Sequence, residues 1–197
     1  GSYQLGAELM VLGGLAGRRD TLRQVAQPIM QDLVTTVNER STLEILATDP
    51  AGKATMLVIE EIDASHRLSI RDFAGSHLPV YATSTGKALL AHLPKEQASQ
   101  IIHQPFAAFT QTTIQDTADL EQELNQIKQN GFALADEELE EGLIAIGVPI
   151  FDNQGNACAS LCLAGPSVRM TAEKLPDLTN HLIASGKAIS EQLGWRN

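Results

Sequence analysis

Apolar residues recur along the chain at two spacings, and the changes between them divide it into elements. Tyr3 to Leu12 carries apolar residues at helical spacing and stops at Gly13-Gly14. Leu22, Val25, Ile29, Leu33 and Val37 then predict a helix from Asp20 to about Arg40, with Pro28 kinking its first two turns. Thr42 to Ala47 reads as a short strand, Asp49-Pro50-Ala51-Gly52 as a turn, and Met56 to Ile59 as the hairpin partner. Leu68 to Arg71 alternates like a half-buried strand. A loop from Gly75 to Gly86 leads into a helix at Lys87–Ala91. Further helices fit Lys95–His103 and Asp119–Asn130, the latter closed by Gly131. Ile144–Phe151, a turn at Asp152–Gly155 and Ala157–Ala164 form a second hairpin. Thr171 to Leu193 is an amphipathic helix with Leu175, Leu178, Leu182 and Ile189 on or near one face. Helices mixed with antiparallel hairpins, and no linker long enough to divide them, predict a single α+β domain.

Composition narrows the function. The chain has 197 residues, 43% of them hydrophobic, which is ample for a core. Its net charge of −10 disfavours a phosphate backbone or an anionic membrane surface as partner. With 4% aromatics, a stacking platform for bases or sugars is not expected. Neither a membrane span nor a secretion signal is present, so a cytoplasmic location is expected. Gly1-Ser2 looks like a tag remnant, which places the start of the chain partway through a longer protein. The two cysteines, Cys158 and Cys162, lie about 13 Å apart if they share a strand, too far for a disulfide. They read as reduced core residues.

The stretch Ala82-Thr83-Ser84-Thr85-Gly86-Lys87-Ala88 sets hydroxyls and a glycine before a helix. Ser84 or Thr85 could cap that helix, leaving other N–H groups for a carboxylate or phosphate. An ordinary capped helix has the same pattern. Gly86-Lys87 lacks the upstream glycine and the following Ser or Thr of a phosphate loop. Ser84-x-x-Lys87 fits the nucleophile motif of penicillin-binding enzymes without their partner motifs, so a Ser84–Lys87 hydrolase is the alternative function. Asp136 to Glu141 holds five carboxylates in six residues and reads as a structural or surface turn. The five histidines show no ligand spacing; no metal, cofactor or catalytic residue is expected.

These segments together resemble a known family. Tyr3-x-Leu5-Gly6, Tyr81 to Ala91, Asp136-Glu137-Glu138 with Gly142, Val148-Pro149-Ile150-Phe151-Asp152-x-x-Gly155, and Ala164-Gly165-Pro166 with Arg169 occur in the order seen in the effector-binding domain of IclR-type bacterial transcription regulators. The resemblance covers about residues 3–194. It implies a GAF/PAS-like curved antiparallel sheet flanked by helices around a small-molecule cavity. It also implies a winged helix-turn-helix upstream, missing here, which would carry operator binding, and assembly into dimers or dimers of dimers. The implied function is sensing of a small organic acid, with no catalysis; a dimerisation-only domain is a further alternative.

The resemblance also places the implied pocket, at Thr83, Ser84, Thr85 and Gly86 plus Ala135, Ala145, Cys162 and Ala164. Some acid-sensing relatives carry Asp, Cys and Ser at such places. The alanines at 135, 145 and 164 leave room for a bulkier, more apolar acid than a two-carbon keto acid. The acid's carboxylate is expected on the N–H groups around Ser84 to Gly86, with Arg71 and Lys87 as candidate cations. The apolar patch Leu9–Leu12 is expected to face a second copy.

Overall fold

The computed structural model describes residues 21–66, 73–102 and 106–196. The expected opening helix with its Leu9–Leu12 patch, and the Leu68–Arg71 strand with Arg71, lie outside these residues. Helix α1 (Thr21–Val37) runs through Pro28 and ends where Asn38, at φ +52°, turns the chain. Arg40, expected to close that helix, instead opens β1 (Arg40–Thr48), which pairs with β2 (Ala54–Ile62) around the Asp49–Gly52 turn. A short edge strand β3 (His77–Pro79) and one 3₁₀ turn (Val80–Ala82) occupy what the sequence reads as loop. Helices α2 (Ser84–Leu90), α3 (Lys95–Ile102) and α4 (Thr117–Asn130) follow. Helix α4 is closed, as expected, by Gly131 at φ +79°. Then come β4 (Ala133–Asp136), β5 (Leu143–Phe151), β6 (Ala157–Pro166) and α5 (Leu175–Gln192). Helix α5 starts four residues later than expected, because Thr171–Lys174 forms a turn (Lys174 N–H to Thr171 C=O, 2.8 Å).

The six strands make one antiparallel sheet in the order β3-β2-β1-β6-β5-β4. Side-chain alternation along the strands sorts residues onto its two faces. Leu43 of β1, Ile144, Ile146, Val148 and Ile150 of β5, and Ala159, Leu161 and Leu163 of β6 bury against Ala26, Met30 and Leu33 of α1 and Leu178, Leu182 and Ile189 of α5. Each of these helices therefore has one apolar stripe and one solvated face. The opposite face is covered by α2, α3 and α4 through Leu89, Leu90, Ile101, Ile102, Leu120, Leu124 and Ile127. The intervening strand residues point to that side, and they build the site. Among the described residues, no helix is long and apolar enough to cross a membrane.

Candidate functional site

Three strand residues spaced by two, Arg40, Thr42 and Glu44, share the α2 face of β1. Their cross-strand neighbours on β6 are Ala164, Cys162 and Ser160, and those on β5 are Ala145, Gly147 and Pro149. Ala135 of β4 sits opposite Ala145. The outermost row is therefore Arg40, Ala164, Ala145 and Ala135, a strip of small side chains about 14 Å long that ends in a guanidinium. A cavity of about 40 Å³ lies over it. Thr83, Ser84 and Thr85 form one wall, and the half-buried Phe73, Leu78 and Leu139 lie on its outer side. That space holds about three water-sized groups, so a larger ligand requires the outer side chains to move.

Two glycines seat helix α2, Gly147 against the sheet and Gly86 against the 3₁₀ turn. A Cβ on Gly147 would lie 2.5 Å from the Ser84 carbonyl carbon, and one on Gly86 would lie 2.1 Å from the Val80 carbonyl oxygen. Ser160 fastens the contact by donating its hydroxyl to the Thr85 C=O at 2.9 Å. The helix begins at Ser84, three residues earlier than the sequence reading, and its cap is Thr83, not Ser84 or Thr85. Thr83 Oγ1 accepts the Gly86 N–H at 3.2 Å and donates to the Pro79 C=O at 3.0 Å. Gly86 thus faces the 3₁₀ turn instead of the cavity, and its N–H is already taken. This corrects its placement among the residues that receive a carboxylate.

The cavity's polar groups differ from the expected set. Glu44 is fully buried on its inner side, accepting from Thr42 Oγ1 at 2.8 Å and Thr85 Oγ1 at 2.6 Å. Burial pushes its carboxyl above the ordinary glutamate range, the two hydroxyls oppose the shift, and the Glu61 charge adds to it. Beside it, burial and the Glu44 charge push the Cys162 thiol up to about 12, so it is a neutral thiol at physiological pH. Ser84 Oγ lies 3.7 Å from that sulfur, a weak contact. Arg40 pairs with Glu61 (2.8 Å) on β2 and with Asp63.

Lys87 is the expected cation that turns elsewhere. It is wholly buried, and its Nζ donates to Glu123 of α4, to Glu138 at 2.6 Å and to the Leu134 C=O at 2.8 Å. Those partners use all three ammonium protons. Among the described residues it has no bond to Ser84, so the Ser84-x-x-Lys87 spacing does not become a nucleophile–base pair. Glu138, from the acidic turn, is buried by this contact; burial lifts its carboxyl and the Lys87 charge opposes the lift. Arg169 of the late motif is likewise structural, with Nε and Nη2 on the two Glu39 oxygens at 2.7 and 2.8 Å. Among the described residues no three of His, Cys, Asp and Glu gather to hold a metal ion.

Of the residues singled out from sequence, Thr83, Ser84, Thr85, Ala135, Ala145, Cys162 and Ala164 line this one cavity. Arg40, Thr42 and Glu44 were missed. The alternation Arg-x-Thr-x-Glu was visible in Arg40-Ser41-Thr42-Leu43-Glu44, but the pattern reading gave Arg40 to a helix and so hid the register.

The match to known proteins follows the same geometry. Residues 16–191 match the family described as bacterial transcriptional regulator IclR C-terminal. The regulator KdgR of Escherichia coli is 31% identical over 196 residues, covering 99% of this chain and 73% of that protein. Among solved structures, the Thermotoga maritima IclR superposes with a TM-score of 0.87 at 26% identity, covering 96% of this chain and 75% of the other. An IclR homolog from Microbacterium hydrocarbonoxydans, complexed with 4-hydroxybenzoate, gives 0.82 at 27% identity over 96% of this chain and 75% of the other. With its curled, GAF-like α+β sheet, the chain belongs to the IclR family and is the effector-binding domain of a transcription regulator.

Proposed function

We propose that the domain senses a small organic acid, bound in the cavity between the start of α2 and the alanine strip. The observation that carries this reading is the convergence of seven candidate residues, with Arg40 and Glu44, on one cavity. The Ser84 hydroxyl, held among the described residues only by its long contact to Cys162, donates to the acid's carboxylate. The alanines contact its apolar body. The 4-hydroxybenzoate complex of the Microbacterium homolog supports an acid as the ligand class. The acid acts by binding two arrangements of an oligomer with different affinity, since equal affinity shifts nothing. An N-terminal DNA-binding domain of the same regulator reads that shift at its operator.

A thermal screen of organic acids tests this. An acid present at one hundred times its Kd stabilises the fold by about 2.7 kcal/mol. That corresponds to about 5–10 °C in a domain of this size. Ser84→Leu covers the Ser84 donor and abolishes the shift. A full shift retained in Ser84→Leu removes Ser84 from the site, and a screen in which no acid stabilises the domain overturns the acid reading.

A further inference from the structure

The cavity holds a group that a simple carboxylate ligand does not use. Glu44 is 3% exposed and stands on the cavity's inner side, four residues along β1 from Arg40, so the two Cα atoms lie about 13 Å apart. An ionised carboxylate offers about four acceptor positions on its two oxygens. Thr42 and Thr85 occupy one position on each oxygen, and among the described residues these two are the only hydrogen-bond partners Glu44 has. One hydroxyl comes from β1 and the other from α2. Acceptor capacity therefore remains on a buried carboxyl in contact with the cavity. Among the described residues no cation is paired with it: Arg40 faces Glu61 and Asp63, and Lys87 faces Glu123 and Glu138.

Two consequences follow for a ligand. A carboxylate placed against Glu44 meets a like charge or forces a proton onto the pair, which sends the ligand's anionic end away from Glu44 toward the Ser84 hydroxyl. The end that reaches Glu44 is favoured when it carries a donor, because a hydrogen bond to the ionised carboxylate is stronger than one between neutral groups. A plain hydrocarbon there covers the spare acceptor positions and leaves them unsatisfied. We propose that Glu44 is a specificity-determining residue, selecting effector acids that carry a hydroxyl at the end opposite the carboxylate. This rests on the acid reading of the cavity and deepens it to hydroxy acids.

The test compares matched pairs on the intact domain by calorimetry: propionate with 3-hydroxypropionate, and benzoate with 4-hydroxybenzoate. In the wild-type chain the hydroxylated member of a binding pair binds about tenfold tighter or better. In Glu44→Met, which removes both carboxyl oxygens, the preference disappears and the plain acid gains. In Glu44→Gln, which keeps one neutral acceptor oxygen, the preference narrows without vanishing. Equal affinities within each wild-type pair overturn the assignment and leave the acid reading intact. So does an unchanged preference in Glu44→Met or, should that variant not fold, in Glu44→Gln. Absence of binding by all four acids, together with an acid screen without stabilisation, removes both readings at once.

Discussion

Lys87 and Glu44 are both buried around α2, and the protein satisfies them in opposite ways. Lys87 meets two carboxylates and a carbonyl oxygen, so its charge and every donor are matched. Glu44 meets two neutral hydroxyls and, among the described residues, is paired with no cation. The Lys87 cluster ties α2 to α4, β4 and the acidic turn with every ammonium donor used, although Glu138 Oε2 is buried there without a hydrogen-bond partner among the described residues. Glu44 instead lines a cavity. Burial alone therefore does not separate structural from functional charge; the state of the partners does. Lys87 looked like the functional cation because it lies in the Thr83–Ala88 stretch, yet it is the group with nothing left to offer a ligand.

The largest test of this contrast is Lys87→Met against Glu44→Met. Removing Lys87 leaves Glu138 and Glu123 facing each other without their cation, and Glu138 is buried. Breaking such a pair destabilises by about 3–5 kcal/mol. For a domain near 200 residues that lowers the melting midpoint by roughly 6–20 °C. Glu44→Met replaces an uncompensated buried carboxyl with an apolar side chain, leaving the Thr42 and Thr85 hydroxyls to find other partners, and changes stability by about 1 kcal/mol or less. Calorimetric melts of both variants check this. Equal losses would show that the two sites are not different in kind.

A smaller effect separates the cavity side of α2 from its other contacts. Gly147→Ala places a Cβ 2.5 Å from backbone that cannot yield as a side chain would, so α2 must lift from the sheet at Ser84 and Thr85. Overpacking of this sort costs about 1–3 kcal/mol. The lift widens the cavity wall, so acid affinity falls as well, whereas the Lys87 cluster stays closed. Reduced acid binding at an unchanged Glu123–Lys87–Glu138 geometry, read from a crystal structure of the variant, is the expected result. Unchanged affinity would show that the seat of α2 on Gly147 does not shape the cavity.

The fold was legible where periodicity is long and turns carry their own chemistry. Helix α1, both hairpins and the Gly131 stop follow from apolar spacing and from Asp49–Gly52 and Asp152–Gly155. In the second turn the Asp152 carboxylate accepts the Gln154 and Asn156 N–H groups at 2.8 and 3.0 Å, and these bonds hold its carboxyl below the usual aspartate range. Strands β3 and β4 were not legible, because three and four residues are too few for alternation to show. The start of α2 was missed for a different reason. Hydroxyl residues signal a cap only when they are outside the helix, and here Ser84 and Thr85 lie inside its first turn, buried by the sheet. Seven cavity residues were identified through the family resemblance. The polar end at Arg40 and Glu44 depends on β1 register, which is set by pairing with β6 and not by any local signal.

The smallest expected effect is a pH dependence confined to Glu44. Burial raises its folded-state pKa above the unfolded value, against the pull of the Thr85 and Thr42 hydroxyls. Between those two values the folded chain holds a proton that the unfolded chain has released, so unfolding sheds protons and stability falls as pH rises. The contribution is fully present below the ordinary glutamate value and is lost as pH passes through the raised one. Its slope within that window is at most about 1.4 kcal/mol per pH unit. Glu138 is raised by burial in the same direction, but it is present in the wild type and in Glu44→Gln alike, so the difference between the two chains isolates Glu44. Urea unfolding from pH 4.5 to 8 should show the wild-type midpoint declining relative to Glu44→Gln as pH increases. Parallel curves would mean that Glu44 does not titrate in this range. Hydroxy-acid binding strengthens the contrast: a hydroxyl donating to Glu44 stabilises its ionised form, so the bound domain loses less stability with rising pH than the free one.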